Sequence, residues 1–219
     1  MARRLINHIL AGTSHILRDP RIELVLERIY SDAQRAADDA RAAPSGLPRA
    51  ADELGDFGYS LRPGQGEFLY LMCRSIGARR VVDFSTSAGA TAIYCAAALR
   101  DNGAGTVISS DHRKDRRSAA RHNLTEAGLI DYVDLRLGNP LDTLRSLPGP
   151  VDLAYLDGWP ELGAPSLALS VLELIRPGLR PGALVLNDSH EPDYLDHVRD
   201  PTSGFRTSVL DFGVLSVVA

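Results

Sequence analysis

The segment that most constrains this chain is Val81–Thr91, which reads Val-Val-Asp-Phe-Ser-Thr-Ser-Ala-Gly-Ala-Thr. An apolar, β-type run ends on Asp83. Small residues follow at once, and an Ala-rich helical stretch runs on from Ala92 to Leu99. A strand that turns tightly into a helix points backbone N–H groups into the crevice above a sheet. Small residues at the turn let a ligand approach the backbone closely.

The rest of the chain repeats the pattern. After helical periodicity over residues 5–41, broken at Asp19-Pro20, a Pro/Gly/Ala-rich loop covers 42–54 and a helix is predicted from Gly64 to Ser75. Strands are predicted at 80–84, 105–110, 132–136, 151–156 and 182–187, with helices at 90–100, 114–127, 140–146 and 164–176 between them. Gly128 reads as a helix stop, and Pro177, Gly178, Pro181 and Gly182 as breaks ahead of the fifth strand. Such alternation predicts a doubly wound α/β fold with a mostly parallel sheet. The tail differs. Phe205–Leu210 and Val214–Val218, joined by Asp211-Phe212-Gly213, read as an antiparallel hairpin, for seven strands in all. The expected organisation is an N-terminal helical extension and loop over 1–57 and an α/β domain over 58–219.

Composition narrows the function. The formal net charge of −4 gives no electrostatic footprint for nucleic acid or an anionic membrane. No apolar run approaches the roughly 20 residues of a membrane span. The start, Met-Ala-Arg-Arg, lacks the small-residue cleavage site of a signal peptide, so a cytoplasmic location is expected. Cys73 and Cys95 lie within helical patterns and read as buried apolar residues. Of 24 basic residues only Lys114 is lysine, which limits any lysine chemistry.

The turn at Ser85-Thr86-Ser87-Ala88-Gly89 holds one glycine, where dinucleotide dehydrogenases use G-x-G-x-x-G. Ser85 and Ser87 would crowd a pyrophosphate, and Asp83 would repel it. The same aspartate suits an ammonium or sulfonium cation, which favours S-adenosylmethionine over NAD. Asp111, ending the second strand, is placed to accept from ribose hydroxyls or to cap a turn. Asn139 could meet an adenine amino group or serve as a turn residue. Asp157 and Asp188 end the fourth and fifth strands. They could share a divalent cation, since hard cations prefer carboxylate oxygens, or cap helices.

Together these residues resemble the class I S-adenosylmethionine-dependent methyltransferases, in the small catechol/caffeoyl-CoA O-methyltransferase group. The resemblance spans about residues 58–219. Leu61–Phe68, with Gly66, is similar to the segment whose backbone meets the methionine end of the cofactor. Asp83–Thr91 is similar to the family's E-x-G-T-x-x-G-Y-S loop, and Gly138-Asn139 to its Gly-Asp adenine contact. Asp157 falls on its first metal ligand, Asp188-Ser189 on its Asp-Asn metal pair, and the hairpin on its extra antiparallel strand. The resemblance thus implies cofactor contacts at Leu61, Asp83, Ser85, Ser87, Gly89, Thr91, Asp111, His112, Gly138, Asn139 and Asp157. It implies metal ligands at Asp157, Asp188 and Ser189, and a homodimer.

The departures matter as much. Ser85 replaces a glycine and Ser189 the metal-binding asparagine, for which Asn187 or His190 could substitute. Pro160 stands where the family's lysine base would be. His190 is the best replacement base, since imidazole titrates near neutral pH, although it also reads as a solvated loop histidine. His112 and His122 read as surface residues. Trp159 either walls an acceptor pocket or covers the core. The expected function is O-methyl transfer to a small aromatic or natural-product-like hydroxyl compound, with His190, Asp157 and Asp188 as catalytic residues and with or without Mg²⁺ or another divalent cation. Two rivals are a metal-independent enzyme using His190 or Asp188 alone, and a cofactor-binding partner protein that has lost transfer chemistry.

Overall fold

The computed structural model describes residues 16–42, 61–157, 165–188 and 191–219. The expected boundary near residue 57 lies outside them, as do Trp159, Pro160, Ser189 and His190.

Seven strands form one sheet: β1 (Arg80–Phe84), β2 (Thr106–Asp111), β3 (Val133–Leu137), β4 (Val151–Leu156), β5 (Leu179–Asn187), β6 (Phe205–Leu210) and β7 (Gly213–Val218). Their order is β3-β2-β1-β4-β5-β7-β6. β1 to β5 pair in parallel, and β7 runs antiparallel to both β5 and β6. The order reverses beside β1, so a crevice opens between the carboxyl ends of β1, β2 and β4, where open α/β sheets bind ligands.

The period-2 alternation of the strands sorts side chains onto two apolar layers. Val81, Val107, Leu135, Leu153, Tyr155, Leu184 and Leu186 face one side. That side is covered by α1 (Pro20–Ala42), α2 (Pro63–Ser75) and α3 (Ala90–Asp101), with α4 (Lys114–Glu126) alongside. Val82, Ile108, Ala154, Leu156 and Val185 face the other. There they meet α6 (Leu167–Ile175) and α7 (Pro192–Arg199), with Leu144 just after the short α5 (Pro140–Thr143). α1 carries Ile22, Val25, Leu26 and Ile29 into the same core as the first layer. Pro20 opens α1 at a position that needs no N–H donor, and Asp19 accepts from the Arg21 N–H ahead of it. Asp19-Pro20 thus marks a helix start, as its sequence suggests.

α3 is buried along its whole length from Ala90 to Leu99, which explains its alanines: the sheet and the helices α1, α2 and α4 crowd it at once. Gly66 on α2 is required by that crowding. A Cβ there would lie 2.1 Å from the Tyr94 ring on α3.

Two elements differ from expectation. β5 begins at Leu179, ahead of the predicted 182, because the strand continues through Pro181-Gly182 as a bulge. Its register against β4 shifts there, and Gly182 takes φ +74°. α7 lies outside the predicted helices; within its eight residues Tyr194 and Val198, one turn apart, are buried.

Candidate active site

The turn after β1 is wrapped over the end of β2. Backbone N–H groups of Ser85 and Thr86 both donate to the Ser110 carbonyl at 3.1 and 3.2 Å. The Ser87 N–H donates to the Asp111 carboxylate at 2.9 Å. To make this wrap, Ser85 and Ser87 adopt φ of +80° and +49°, a region costly for residues with a Cβ. Gly89, at φ +91°, then starts α3 where a Cβ would press on Ala120 of α4 at 3.2 Å. Asn123 of α4 donates to the Ala88 carbonyl at 2.8 Å, and Arg28 of α1 donates to Asn123. The strained turn is therefore held from three sides.

Asp83 is the deepest charged group of the crevice, with no exposed surface. One carboxylate oxygen accepts from Ser109 at 2.6 Å; the other, Oδ1, has no protein partner. Burial, outweighing the Ser109 hydrogen bond and aided by the Asp111 charge, pushes its pKa up to about 7. Asp111 is also sunk, its side chain only 2 % exposed. It accepts from Ser87 and from the Arg113 N–H at 2.8 Å, so the end of β2 and the first turn are locked to each other. His112 beside it is half exposed, 4.0 Å from that carboxylate. The Gly138 N–H donates to the Asp111 carbonyl, bringing the loop after β3 to the same place. Asn139 caps α5 by accepting from the Leu141 N–H at 2.9 Å, the turn role open to it from sequence. Its amide NH₂ is not used by that cap. Leu61 is buried in the core layer just ahead of α2, and Thr91 is buried in the first turn of α3.

The other half of the crevice lies at the ends of β4 and β5. Asp157 follows β4, and its pKa is pushed up to about 7 by burial first, then by the charges of Asp188, Asp83 and Glu191. Asp188 is held from two sides. Tyr155 donates to it at 2.9 Å, and the Gln65 amide reaches its two oxygens at 3.3 and 3.2 Å. Gln65 in turn accepts from the backbone N–H and the Nε of Arg62, tying the start of α2 to the end of β5. Sequence reasoning missed Tyr155 and Gln65. Tyr155 could have been found from parity, since it lies two residues before Asp157 on the face that carries Asp83. Gln65 gave no signal, because its partner is far away in the chain.

These carboxylates fit a cationic ligand. An unpartnered buried carboxylate oxygen and a second acid whose pKa is raised by burial and like charges both gain from a positive group placed between them. Among the described residues, no three His, Cys, Asp or Glu side chains come together to hold a metal ion. Asp157 and Asp188 therefore do not complete a metal site within the described residues.

Comparisons with known proteins match the chain to methyltransferases. Residues 83–190 match the family described as a methyltransferase domain. A catechol O-methyltransferase of Niastella koreensis is 29 % identical over 172 residues, covering 75 % of this chain and 72 % of that protein. The catechol O-methyltransferase of Mycobacterium tuberculosis is 33 % identical over 129 residues, or 58 % and 57 % of the two chains. The solved O-methyltransferase of Bacillus cereus in complex with SAH superposes with a TM-score of 0.66 at 20 % identity, over 99 % of this chain and 96 % of that one.

The chain is a methyltransferase similar to these O-methyltransferases. Its fold is that of the solved O-methyltransferase that holds SAH. The positive sulfonium and ammonium groups of S-adenosylmethionine would match, in charge, the acidic ends of β1 and β4. No helix among the described residues is long and apolar enough to cross a membrane.

Proposed function

We propose that this O-methyltransferase acts on the hydroxyl of a small aromatic or natural-product-like compound, and that the crevice between β1, β2 and β4 is its cofactor site. The transfer uses the residues at the ends of β1, β2, β4 and β5. The observation that carries this reading is the pair of acids, buried Asp83 and half-buried Asp157, at the ends of adjacent strands. One has an oxygen with no protein partner, and both are held near pKa 7. That is poor design for an empty crevice and good design for a cationic methyl donor.

When bound, S-adenosylmethionine supplies a methyl group made electrophilic by a sulfonium leaving group. The protein's part is positioning. Asp83 accepts from the ammonium of the methionine part. Asp111, whose orientation is fixed by Ser87 and Arg113, accepts from the ribose hydroxyls. Asn139, oriented by its cap to Leu141, offers its side-chain amide to the adenine. Leu61, Ser85, Gly89, Thr91, His112 and Gly138 line the remaining contacts. Asp157 and Asp188 orient the acceptor hydroxyl, the latter held by Tyr155 and Gln65. His190 takes the hydroxyl proton as the methyl group arrives. The curated relatives named as catechol O-methyltransferases support a phenolic acceptor, with a small molecule rather than nucleic acid as the partner. A cytoplasmic homodimer fits the same reading.

The test is turnover of catechol and related phenols by the protein and by His190→Ala. A placed general base contributes about 10²–10⁴-fold. The variant should lose kcat by that order and keep its affinity for S-adenosylmethionine. Near-full turnover would move the proton to Asp188 instead.

A further inference from the structure

Resting on the reading that Asp83 meets the ammonium of the cofactor, we propose that Ser109 and Thr86 are positioning residues for cofactor binding: their hydroxyls form a one-way hydrogen-bond chain that holds the Asp83 carboxylate charged and ties it to the turn bordering the cofactor.

The direction of the chain follows from its geometry. The Ser109 hydroxyl lies 2.6 Å from Asp83 Oδ2, and a carboxylate only accepts. The single hydroxyl proton of Ser109 is therefore committed to Asp83. Ser109 Oγ also lies 2.6 Å from Thr86 Oγ1, so Thr86 must be the donor in that pair. The proton order runs Thr86 to Ser109 to Asp83, from the middle of the strained turn to the floor of the crevice. All three side chains are buried, Thr86 at 2 % exposure and the others at none. Each donor polarises the next, which strengthens the bond received by the carboxylate. Without the chain, both oxygens of a buried Asp83 would lack a protein donor, because Oδ1 already does.

The surroundings make this single support decisive. Among the described residues, every other titratable group facing Asp83 opposes its charge or is neutral: Asp111 at the end of β2, Tyr155 on β4, Asp157 just after it, and Cys95 on α3. Burial and Asp111 raise its pKa, and Ser109 alone lowers it, for a balance near 7. Cofactor binding that needs the charged form must then weaken as pH falls through that range. The position of this acid limb reports on the chain, which a purely packing role for Ser109 would not move.

The experiment is isothermal titration with S-adenosylmethionine between about pH 5.5 and 8.5. In the native protein, affinity should fall about tenfold per pH unit below the midpoint. Ser109→Ala should move that midpoint up by about one unit, since a hydrogen bond to the charged form is lost. Affinity well above the midpoint should stay within about threefold of native. Ser109→Thr should restore the native profile. Thr86→Val should shift the midpoint the same way by less, and it carries the test if Ser109→Ala fails to fold. A native midpoint in Ser109→Ala and Thr86→Val, or the same loss of affinity at every pH, would overturn the proposal. Asp83→Asn separates the underlying reading: it should lose both the acid limb and most affinity. If it keeps both, Asp83 does not meet the ammonium, whatever Ser109 does.

Discussion

Replacing Asp83 by asparagine should make the cofactor-free protein more stable at alkaline pH while it weakens cofactor binding. Asp83 is fully buried and its pKa stands near 7 against an ordinary 3.8. The native state therefore binds this proton more tightly than the unfolded chain does. The stability it confers is complete below about pH 4 and is lost as pH rises to about 7. A shift of about three units, at 1.36 kcal/mol each, makes the total loss about 4 kcal/mol. Between about pH 5 and pH 8 the share is about 2–3 kcal/mol. The introduced asparagine would still accept from Ser109, but it would bury an amide N–H in place of Oδ1, which costs about 1–3 kcal/mol. That cost is the same at both pH values and cancels in the comparison. The assay is urea unfolding of native and variant protein, followed by circular dichroism, at pH 5 and pH 8 without cofactor. The stability difference, variant minus native, should grow by about 2–3 kcal/mol from the lower pH to the higher. Asp157 titrates in both proteins, and because the Asp83 charge raises its pKa, losing that charge adds to the difference in the same direction. A difference that stays constant within about 0.5 kcal/mol would refute the claim that Asp83 is strained by its own charge.

Tyr155→Phe should leave S-adenosylmethionine affinity unchanged and lower turnover of a phenolic acceptor by about tenfold or more, because one hydrogen bond to the Asp188 carboxylate is lost. An unchanged rate would separate Asp188 from acceptor positioning. Gly66→Ala should destabilise by about 1–3 kcal/mol, since the added Cβ would lie only 2.1 Å from the edge of the Tyr94 ring and α2 must move off α3. A melting temperature equal to native would show that the two helices are looser than their contact implies.

The strands and the first turn are legible in the sequence because their signals are local. Val81–Phe84 and Val151–Leu156 are short apolar runs closed by acids, and their predicted ends agree with the structure. Asp83, Asp111, Asp157 and Asp188 are visible because an acid directly at or after a strand lies on the ligand side of a parallel sheet. What stays hidden depends on contacts distant in the chain. Gln65 matters through Asp188, 123 residues away, and no local pattern marks it. Ser109 looks like an ordinary strand residue until its neighbour across the sheet, Asp83 on β1, is in place. The start of β5 escapes prediction because Pro181-Gly182 normally ends a strand. Here the pair forms a bulge that the adjoining β4 tolerates.

The central claim, that a cationic methyl donor sits between the ends of β1 and β2, is tested most directly by isothermal titration of S-adenosylmethionine into native protein and Asp111→Ala, with NAD as competitor. The account predicts one saturable site in the native protein, undisturbed by NAD. It predicts at least tenfold weaker binding in Asp111→Ala with the fold intact by circular dichroism, because charge-assisted hydrogen bonds to the ribose are each worth about 1.5–3 kcal/mol. Displacement of S-adenosylmethionine by NAD, or equal affinity in native protein and variant, would contradict it.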